Sequence, residues 1–201
     1  MKNITAVVLA GGESKRMGRD KAFLTFRGKT FLRHILETVS SFADQIIVSA
    51  NKEPDIYKKE AEGINISIVK DINPFKGPLN AVASCSDYIE NDTVFIATCD
   101  TPLIKIQAVN FLYENLKGHD CVIPMINGKF QPMNTFYTRK AVLKAKKLYK
   151  EGINSMFKWI KTLDAVFLDE KQLKLYDKDL VSFKSINTPS DYHAFLKNYE
   201  V

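Results

Sequence analysis

Three short segments hold most of the residues that could do chemistry. The first, Gly11-Gly12-Glu13-Ser14-Lys15-Arg16-Met17-Gly18-Arg19-Asp20-Lys21, mixes glycines with basic side chains. Glycine lets a backbone approach an anion closely, so that several N–H groups converge on it, and the cations add charge of the opposite sign. A triphosphate needs both. The spacing is not that of a Walker loop, because no Lys-Ser/Thr follows the second glycine block, and it is not G-x-G-x-x-G. A glycine-rich turn by itself is more often structural than ligand-binding. It is Arg16, Arg19 and Lys21 in the same segment that favour phosphate.

The second segment, Thr98-Cys99-Asp100-Thr101-Pro102, closes an apolar run with an acid. A carboxylate there is placed either to hold Mg2+ shared with nucleotide phosphates or to cap a helix. The third is Val69-Lys70-Asp71-Ile72-Asn73-Pro74-Phe75-Lys76-Gly77-Pro78-Leu79, in which Asp71 has the same ambiguity. Guanine presents adjacent N1–H and N2–H donors that one carboxylate can accept, so Asp71 could read that base. Cytosine and uracil present no such pair.

Apolar runs of strand length, rich in Val and Ile, must position these segments. They fall at Ala6–Ala10, Gln45–Ala50, Ile66–Val69, Thr93–Ala97 and Cys121–Ile126. Near-continuous runs of this kind suit strands covered on both faces. Between them, Leu32, Ile35, Leu36, Val39 and Phe42 repeat at helical spacing, as do Leu79, Val82 and Ala83, and Val109, Leu112 and Leu116. The alternation predicts right-handed βαβ crossovers in an α/β fold, a Rossmann-like three-layer sandwich with a mostly parallel sheet. Asn127-Gly128 signals a turn between two extended segments, where the sheet becomes mixed. A Lys-rich helix is expected around Arg139–Lys150, another over Ser155–Leu163 with Met156, Phe157 and Ile160 inward, and a last one opened by Thr188-Pro189-Ser190-Asp191. In such a sheet, ligands bind beyond the carboxyl ends of the strands, where the glycine segment, Asp71 and Asp100 all fall.

Composition sets the frame. The chain has 201 residues, with 29 Lys+Arg against 23 Asp+Glu and a net charge of +6, which suits one globular domain over residues 1–201. No apolar stretch reaches the length of a membrane span, and the short apolar start reads as a buried strand rather than a leader. Cys85, Cys99 and Cys121 are odd in number and widely spaced, which fits buried thiols in a reducing cytoplasm better than disulfides or zinc ligands. The basic helix with Lys140, Lys144, Lys146, Lys147 and Lys150 reads as a solvated face rather than a nucleic-acid site, because no aromatic or Gly-rich pattern accompanies it. On residue chemistry alone the chain is a Mg2+-dependent, nucleotide-binding α/β enzyme.

Leu9-Ala10-Gly11-Gly12-Glu13-Ser14-Lys15-Arg16-Met17-Gly18-Arg19-Asp20-Lys21 resembles the signature loop L-A-G-G-x-S-x-R-M-G-x-D-K of the molybdenum cofactor guanylyltransferases. The resemblance runs along nearly the whole chain. The Asp71 block is similar to D-x-x-P-x-x-G-P-L, Cys99-Asp100-Thr101-Pro102 to C-D-x-P, Gly128-Lys129-Phe130-Gln131-Pro132 to the acceptor-side loop, and Ile186-Asn187-Thr188-Pro189-Ser190-Asp191 to the closing N-T-P-x-D. It implies the nucleotide-diphospho-sugar transferase type of fold. It also implies transfer of GMP from MgGTP to the terminal phosphate of molybdopterin or molybdenum-molybdopterin, with the nucleotide bound by the N-terminal half and the acceptor by the C-terminal half. In that reading Leu9, Ala10, Gly11 and Gly12 bind the nucleotide, Lys21 its phosphates, Asp71 the guanine and Asp100 both nucleotide and metal, with Arg16, Lys21 and Asp100 as the catalytic set. Gln131 and Asn187 belong to the acceptor side, Asn187 being open between pterin contact, metal site and helix-entry turn. Two departures from the family pattern stand out. Asn134 replaces a more apolar or small residue, and Ser49 replaces an Asn found in some relatives. The resemblance further implies transient contact with molybdoenzymes or their chaperones. The competing functions are a cytidylyltransferase or sugar-1-phosphate nucleotidyltransferase, and a non-catalytic nucleotide sensor or cofactor-delivery module.

Overall fold

The computed structural model describes residues 3–12 and 17–199. Its strands are β1 (Ile4–Leu9), β2 (Thr25–Phe26), β3 (Lys29–Thr30), β4 (Gln45–Ala50), β5 (Ser67–Lys70), β6 (Thr93–Thr98), β7 (Cys121–Ile126), β8 (Lys129–Phe130), β9 (Thr135–Thr138) and β10 (Ala165–Leu168). The helices are α1 (Phe31–Ser40), α2 (Pro54–Glu60), α3 (Pro78–Cys85), α4 (Ile106–Asn115), α5 (Arg139–Lys150), α6 (Met156–Ile160), α7 (Glu170–Lys174) and α8 (Pro189–Tyr199). The main sheet runs in the order β10-β7-β9-β6-β1-β4-β5, with β8 beside β7. Its core is parallel (β5, β4, β1 and β6), while β9 is antiparallel to both β6 and β7. The expected mixed sheet is therefore observed. The Asn127-Gly128 turn joins β7 to β8, with both residues at positive φ (50° and 69°), as the tight hairpin turn requires.

Alternate residues of each strand feed two separate cores, which makes the sandwich three-layered. Ala6, Val8, Val48 and Phe95 meet Leu32, Ile35, Leu36 and Val39 of α1 and Val109 and Leu112 of α4 on one face. Val7, Ile47, Val94 and Ile96 meet Leu79 and Val82 of α3, Val142 of α5 and Trp159 of α6 on the other. Burying each of these large side chains stabilises the fold by about 1.5–3 kcal/mol. A third cluster fastens α8 across the β2–β3 hairpin, with Phe195 against Phe26 and Phe31.

Three expectations need adjustment. Ala10 lies just past β1, and its N–H donates to the Ser49 carbonyl at 2.8 Å. Phe42 and Leu116 are buried but sit beyond the ends of their helices. Phe157 does not point inward. Helix α6 stops at Ile160, the inward row of so short a helix is Met156, Trp159 and Ile160, and Phe157 is one position off that row and 50% exposed. Its ring lies against Phe130 and under the Lys161 ammonium. Lys140, Lys144, Lys147 and Lys150 of α5 are exposed as expected, Lys144 also donating to the Thr162 carbonyl, while Lys146 is half-buried and pairs with Asp87.

Candidate active site

Strand order places the site. The chain leaves β1 for β4 and β5 on one side, then crosses back to β6 on the other, so the sheet's switch point lies between the carboxyl ends of β1 and β6, where Leu9 pairs with Thr98. Open α/β sheets form their ligand crevice at such a point. A cavity of about 390 Å³ opens there, and Leu9, Gly11, Gly12, Asp71, Asp100 and Gln131 contribute to its lining. Ala10, at 2% exposure, is a core residue whose N–H is already used by Ser49, which leaves only its carbonyl for a ligand.

Asp71 is held from two directions. The Ser49 hydroxyl donates to its Oδ1 at 2.5 Å, and Asn51 Nδ2 donates to its Oδ2 at 2.8 Å and to the Gly11 carbonyl at 2.9 Å. Each carboxylate oxygen keeps a further lone pair, so Asp71 can still accept from a ligand. The fit is close enough to require glycine at 11. A Cβ there would stand 2.5 Å from Asn51 Nδ2 and 3.3 Å from Asp71 Oδ2. At Gly12 no described atom lies within 4 Å of the corresponding position, so a side chain there would enter the cavity.

A second group forms around Lys21. Asp20 caps the turn that presents it, accepting from Ala22 N at 3.0 Å while pairing with Lys52 at 2.8 Å. The Lys21 ammonium donates to Asn187 Oδ1 at 2.7 Å and stands 3.8 Å from Asp100 Oδ2. Asn187 arrives from far along the chain because Ile186 N donates to the Asp100 carbonyl at 2.7 Å. Asp191 then accepts the N–H groups of Asn187 and Thr188 at 2.9 and 2.8 Å, and Thr188 Oγ1 caps Asp191 N in return. These bonds, the Asn187 N–H first among them, hold the Asp191 carboxyl below the usual carboxylate range. Asn187 is thus both the helix-entry residue and a neighbour of Lys21 and Asp100. Arg16, expected in the catalytic set, lies outside the described residues, as does Lys15.

The opposite wall is Gln131, Pro132, Met133 and Asn134. Gln131 N donates to the Pro124 carbonyl, and the Pro132 carbonyl accepts from the Tyr137 phenol, which burial keeps protonated. Asn134 is buried at φ 56°, donates to the Ser182 carbonyl at 2.7 Å and accepts from Thr98 N at 3.4 Å. It clips the end of β6 to the segment that supplies Phe183 and Ser185 to the cavity. Both ends of its side-chain amide are thus engaged within the wall itself.

Asn51 was missing from the sequence-level candidates. The rule that found Asp71 and Asp100 also reaches it, because it stands immediately past β4 in the same carboxyl-end layer. Cys85, Cys99 and Cys121 are all buried, and burial pushes their thiols up, Cys121 to about 12, which excludes a thiolate role.

Comparison with known proteins finds relatives along nearly the whole chain. Residues 6–166 match the family model described as MobA-like NTP transferase domain. A Clostridium perfringens protein named probable molybdenum cofactor guanylyltransferase is 31% identical, with 98% of each chain covered. A Methanosarcina acetivorans protein of the same name is 28% identical, covering 97% of this chain and 91% of its own. Among solved structures, the molybdopterin-guanine dinucleotide biosynthesis protein A of Archaeoglobus fulgidus superposes with a TM-score of 0.78 at 24% identity, covering 98% and 96% of the two chains. The 2-C-methyl-D-erythritol 4-phosphate cytidylyltransferase of Thermus thermophilus superposes at 0.71 with 13% identity and 98% of each chain covered. These superpositions show the shared nucleotidyltransferase fold.

Proposed function

Because the chain belongs to the MobA-like NTP transferase family, we propose that it transfers the GMP unit of GTP to the terminal phosphate of molybdopterin, releasing pyrophosphate. The observation that carries this reading is the meeting of Lys21, Asp100 and Asn187, from three separate segments, beside a switch-point cavity that also contains Asp71. An oxygen of the acceptor phosphate attacks the α-phosphorus of GTP. One P–O bond forms, the bond to the α–β bridging oxygen breaks, and its electrons leave with pyrophosphate. The acceptor phosphate is already ionised near neutral pH, so the step needs no general base. It needs positive charge, because two anions approach and more charge gathers on the bridging oxygen.

Lys21 supplies a fixed ammonium for that purpose, and Arg16 in the same loop is assigned the same role. Asp71, braced by Ser49 and Asn51, accepts the guanine N1–H and N2–H, and Leu9, Ala10, Gly11 and Gly12 form the floor under the nucleotide. Gln131 belongs to the acceptor wall, with the N-terminal half serving the nucleotide and the C-terminal half the acceptor.

The residues fit Mg2+. Asp100 and Asn187 present two hard oxygen donors on either side of a cation, the Lys21 ammonium. Among the described residues no group of three or more His, Cys, Asp or Glu side chains could hold a metal unaided, so Asp100 and Asn187 would hold it together with substrate phosphates, as Mg2+ sites commonly do. When bound, the ion neutralises phosphate charge. Molybdoenzymes or their chaperones are assigned as transient recipients of the product. Among the described residues no helix is long and apolar enough to cross a membrane.

Purified protein incubated with Mg2+, molybdopterin and either GTP or CTP tests the proposal. Pyrophosphate release with GTP and not CTP is expected. Turnover with CTP alone, with a sugar 1-phosphate in place of molybdopterin, or with no acceptor at all would each overturn it.

A further inference from the structure

We propose that Phe75 is a stacking platform for the guanine ring of the bound nucleotide. This rests on the guanylyltransferase reading of the same cavity. Phe75 has φ 64°, the left-handed region that a bulky side chain rarely occupies, and its side chain is 50% exposed. Such a conformation is strained and persists only where the surroundings over-determine it. Burial does not offset that cost here, and among the described residues no aromatic ring or cation lies against the Phe75 ring. What the ring does have is the cavity, which it lines together with Asp71, four residues earlier in the same loop.

The loop is held at both ends of this strained residue. Asn80, fully buried in α3, donates to the Asn73 carbonyl at 2.7 Å and accepts from Asn73 N at 3.2 Å. The Asn73 side chain donates to the Tyr149 hydroxyl at 2.8 Å, Lys76 N closes the turn onto the Asn73 carbonyl, and Asn154 donates to the Lys76 carbonyl. Four polar side chains from two helices and two loops therefore hold an apolar ring where it gains little from the protein itself. A base read along its edge by Asp71 leaves its faces open, and a flat aromatic side chain in the same cavity is suited to cover one of them. The resemblance to known sequences does not reach this position, since Phe75 occupies a variable place in D-x-x-P-x-x-G-P-L.

The test is GTP binding, measured calorimetrically without acceptor, for the full chain carrying Phe75→Ala, Phe75→Leu, Phe75→Tyr and Phe75→Trp. Stacking of one base on one aromatic ring is worth on the order of tenfold in affinity. Phe75→Ala and Phe75→Leu should raise the Kd for GTP by about that factor. Phe75→Tyr and Phe75→Trp should restore it, because they keep a flat face. The side chain is exposed, so the variants should unfold at the wild-type urea midpoint. Unchanged GTP affinity in Phe75→Ala and Phe75→Leu would overturn the assignment, and so would a loss confined to the KM for molybdopterin, which would move the ring to the pterin. Repeating the series with CTP separates the two levels. If the wild type binds CTP and not GTP, the guanylyltransferase reading falls, and a Phe75-dependent CTP affinity still supports stacking, which does not depend on base edges.

Discussion

Replacing Gly11 with Ala tests the site's most tightly specified contact. The added Cβ would stand 2.5 Å from Asn51 Nδ2 and 3.2 Å from Asn51 Cγ, closer than packed atoms tolerate, so the Asn51 amide must move. Moving it breaks its hydrogen bonds to the Gly11 carbonyl at 2.9 Å and to the Asp71 carboxylate at 2.8 Å. A neutral hydrogen bond contributes about 0.5–1.5 kcal/mol and one to a charged group about 1.5–3, so Gly11→Ala should lower stability by about 2–4 kcal/mol. Gly12→Ala adds the same methyl where no described atom lies within 4 Å, and should leave stability within about 0.5 kcal/mol while obstructing the cavity. Urea unfolding of Gly11→Ala, Asn51→Ala and the double variant gives the decisive number. With Asn51 truncated the clash is gone, so the second substitution should cost little and the cycle should show a coupling of at least about 1 kcal/mol. Additive effects, or a Gly11→Ala protein with the wild-type midpoint, would refute the close-contact argument. GTP affinity should fall in both glycine variants, through a displaced Asp71 in one and an occluded floor in the other.

Three further outcomes follow from the same geometry. Asp100→Ala should reduce turnover by about 10²-fold or more while shifting stability by less than about 1 kcal/mol, because its carboxylate is partly exposed and 3.8 Å from Lys21; unchanged turnover would remove Asp100 from the phosphate end. The Asp191 carboxyl is depressed in the folded state, so the docking of α8 should be fully stable above the unfolded-state value, near 3.9, and weaken as pH falls through the lower folded value. Asp191→Asn should flatten that acid limb of an unfolding-midpoint titration. Finally, Cys85, Cys99 and Cys121 should resist a thiol reagent such as DTNB until urea unfolds the chain, and rapid labelling of the native protein would contradict their burial.

The parallel part of the sheet was legible because strands covered on both faces must be apolar at nearly every position, and Gln45–Ala50 and Cys121–Ile126 match their strands residue for residue. The strands that escaped notice are short. Thr135–Thr138 has polar residues at both ends and pairs with strands distant in sequence, and Ala165–Leu168, apolar throughout, is only four residues long and sits at the sheet edge with Phe167 exposed, so neither shows the length that marks the central strands. Phe157 misled because aromatic character says nothing about which side of a five-residue helix a ring faces.

The site divides along the same line. Residue type and position after a strand were enough to single out the glycine segment, Asp71 and Asp100, because an open α/β sheet brings the carboxyl ends of its strands into one layer. Sequence could not say what each of these groups touches. That Asn51 braces Asp71, that Asn187 crosses the chain to Lys21, and that Asn134 clips the acceptor wall depend on hydrogen bonds between residues 20 to 166 positions apart. Such contacts leave no local periodicity, since a single polar side chain in a loop has the same sequence signature whether it faces water or closes a network. Residue type and order dictate which groups gather at the end of the sheet, whereas the packing of α8 and of the loops after β4, β5 and β8 dictates which of them touch.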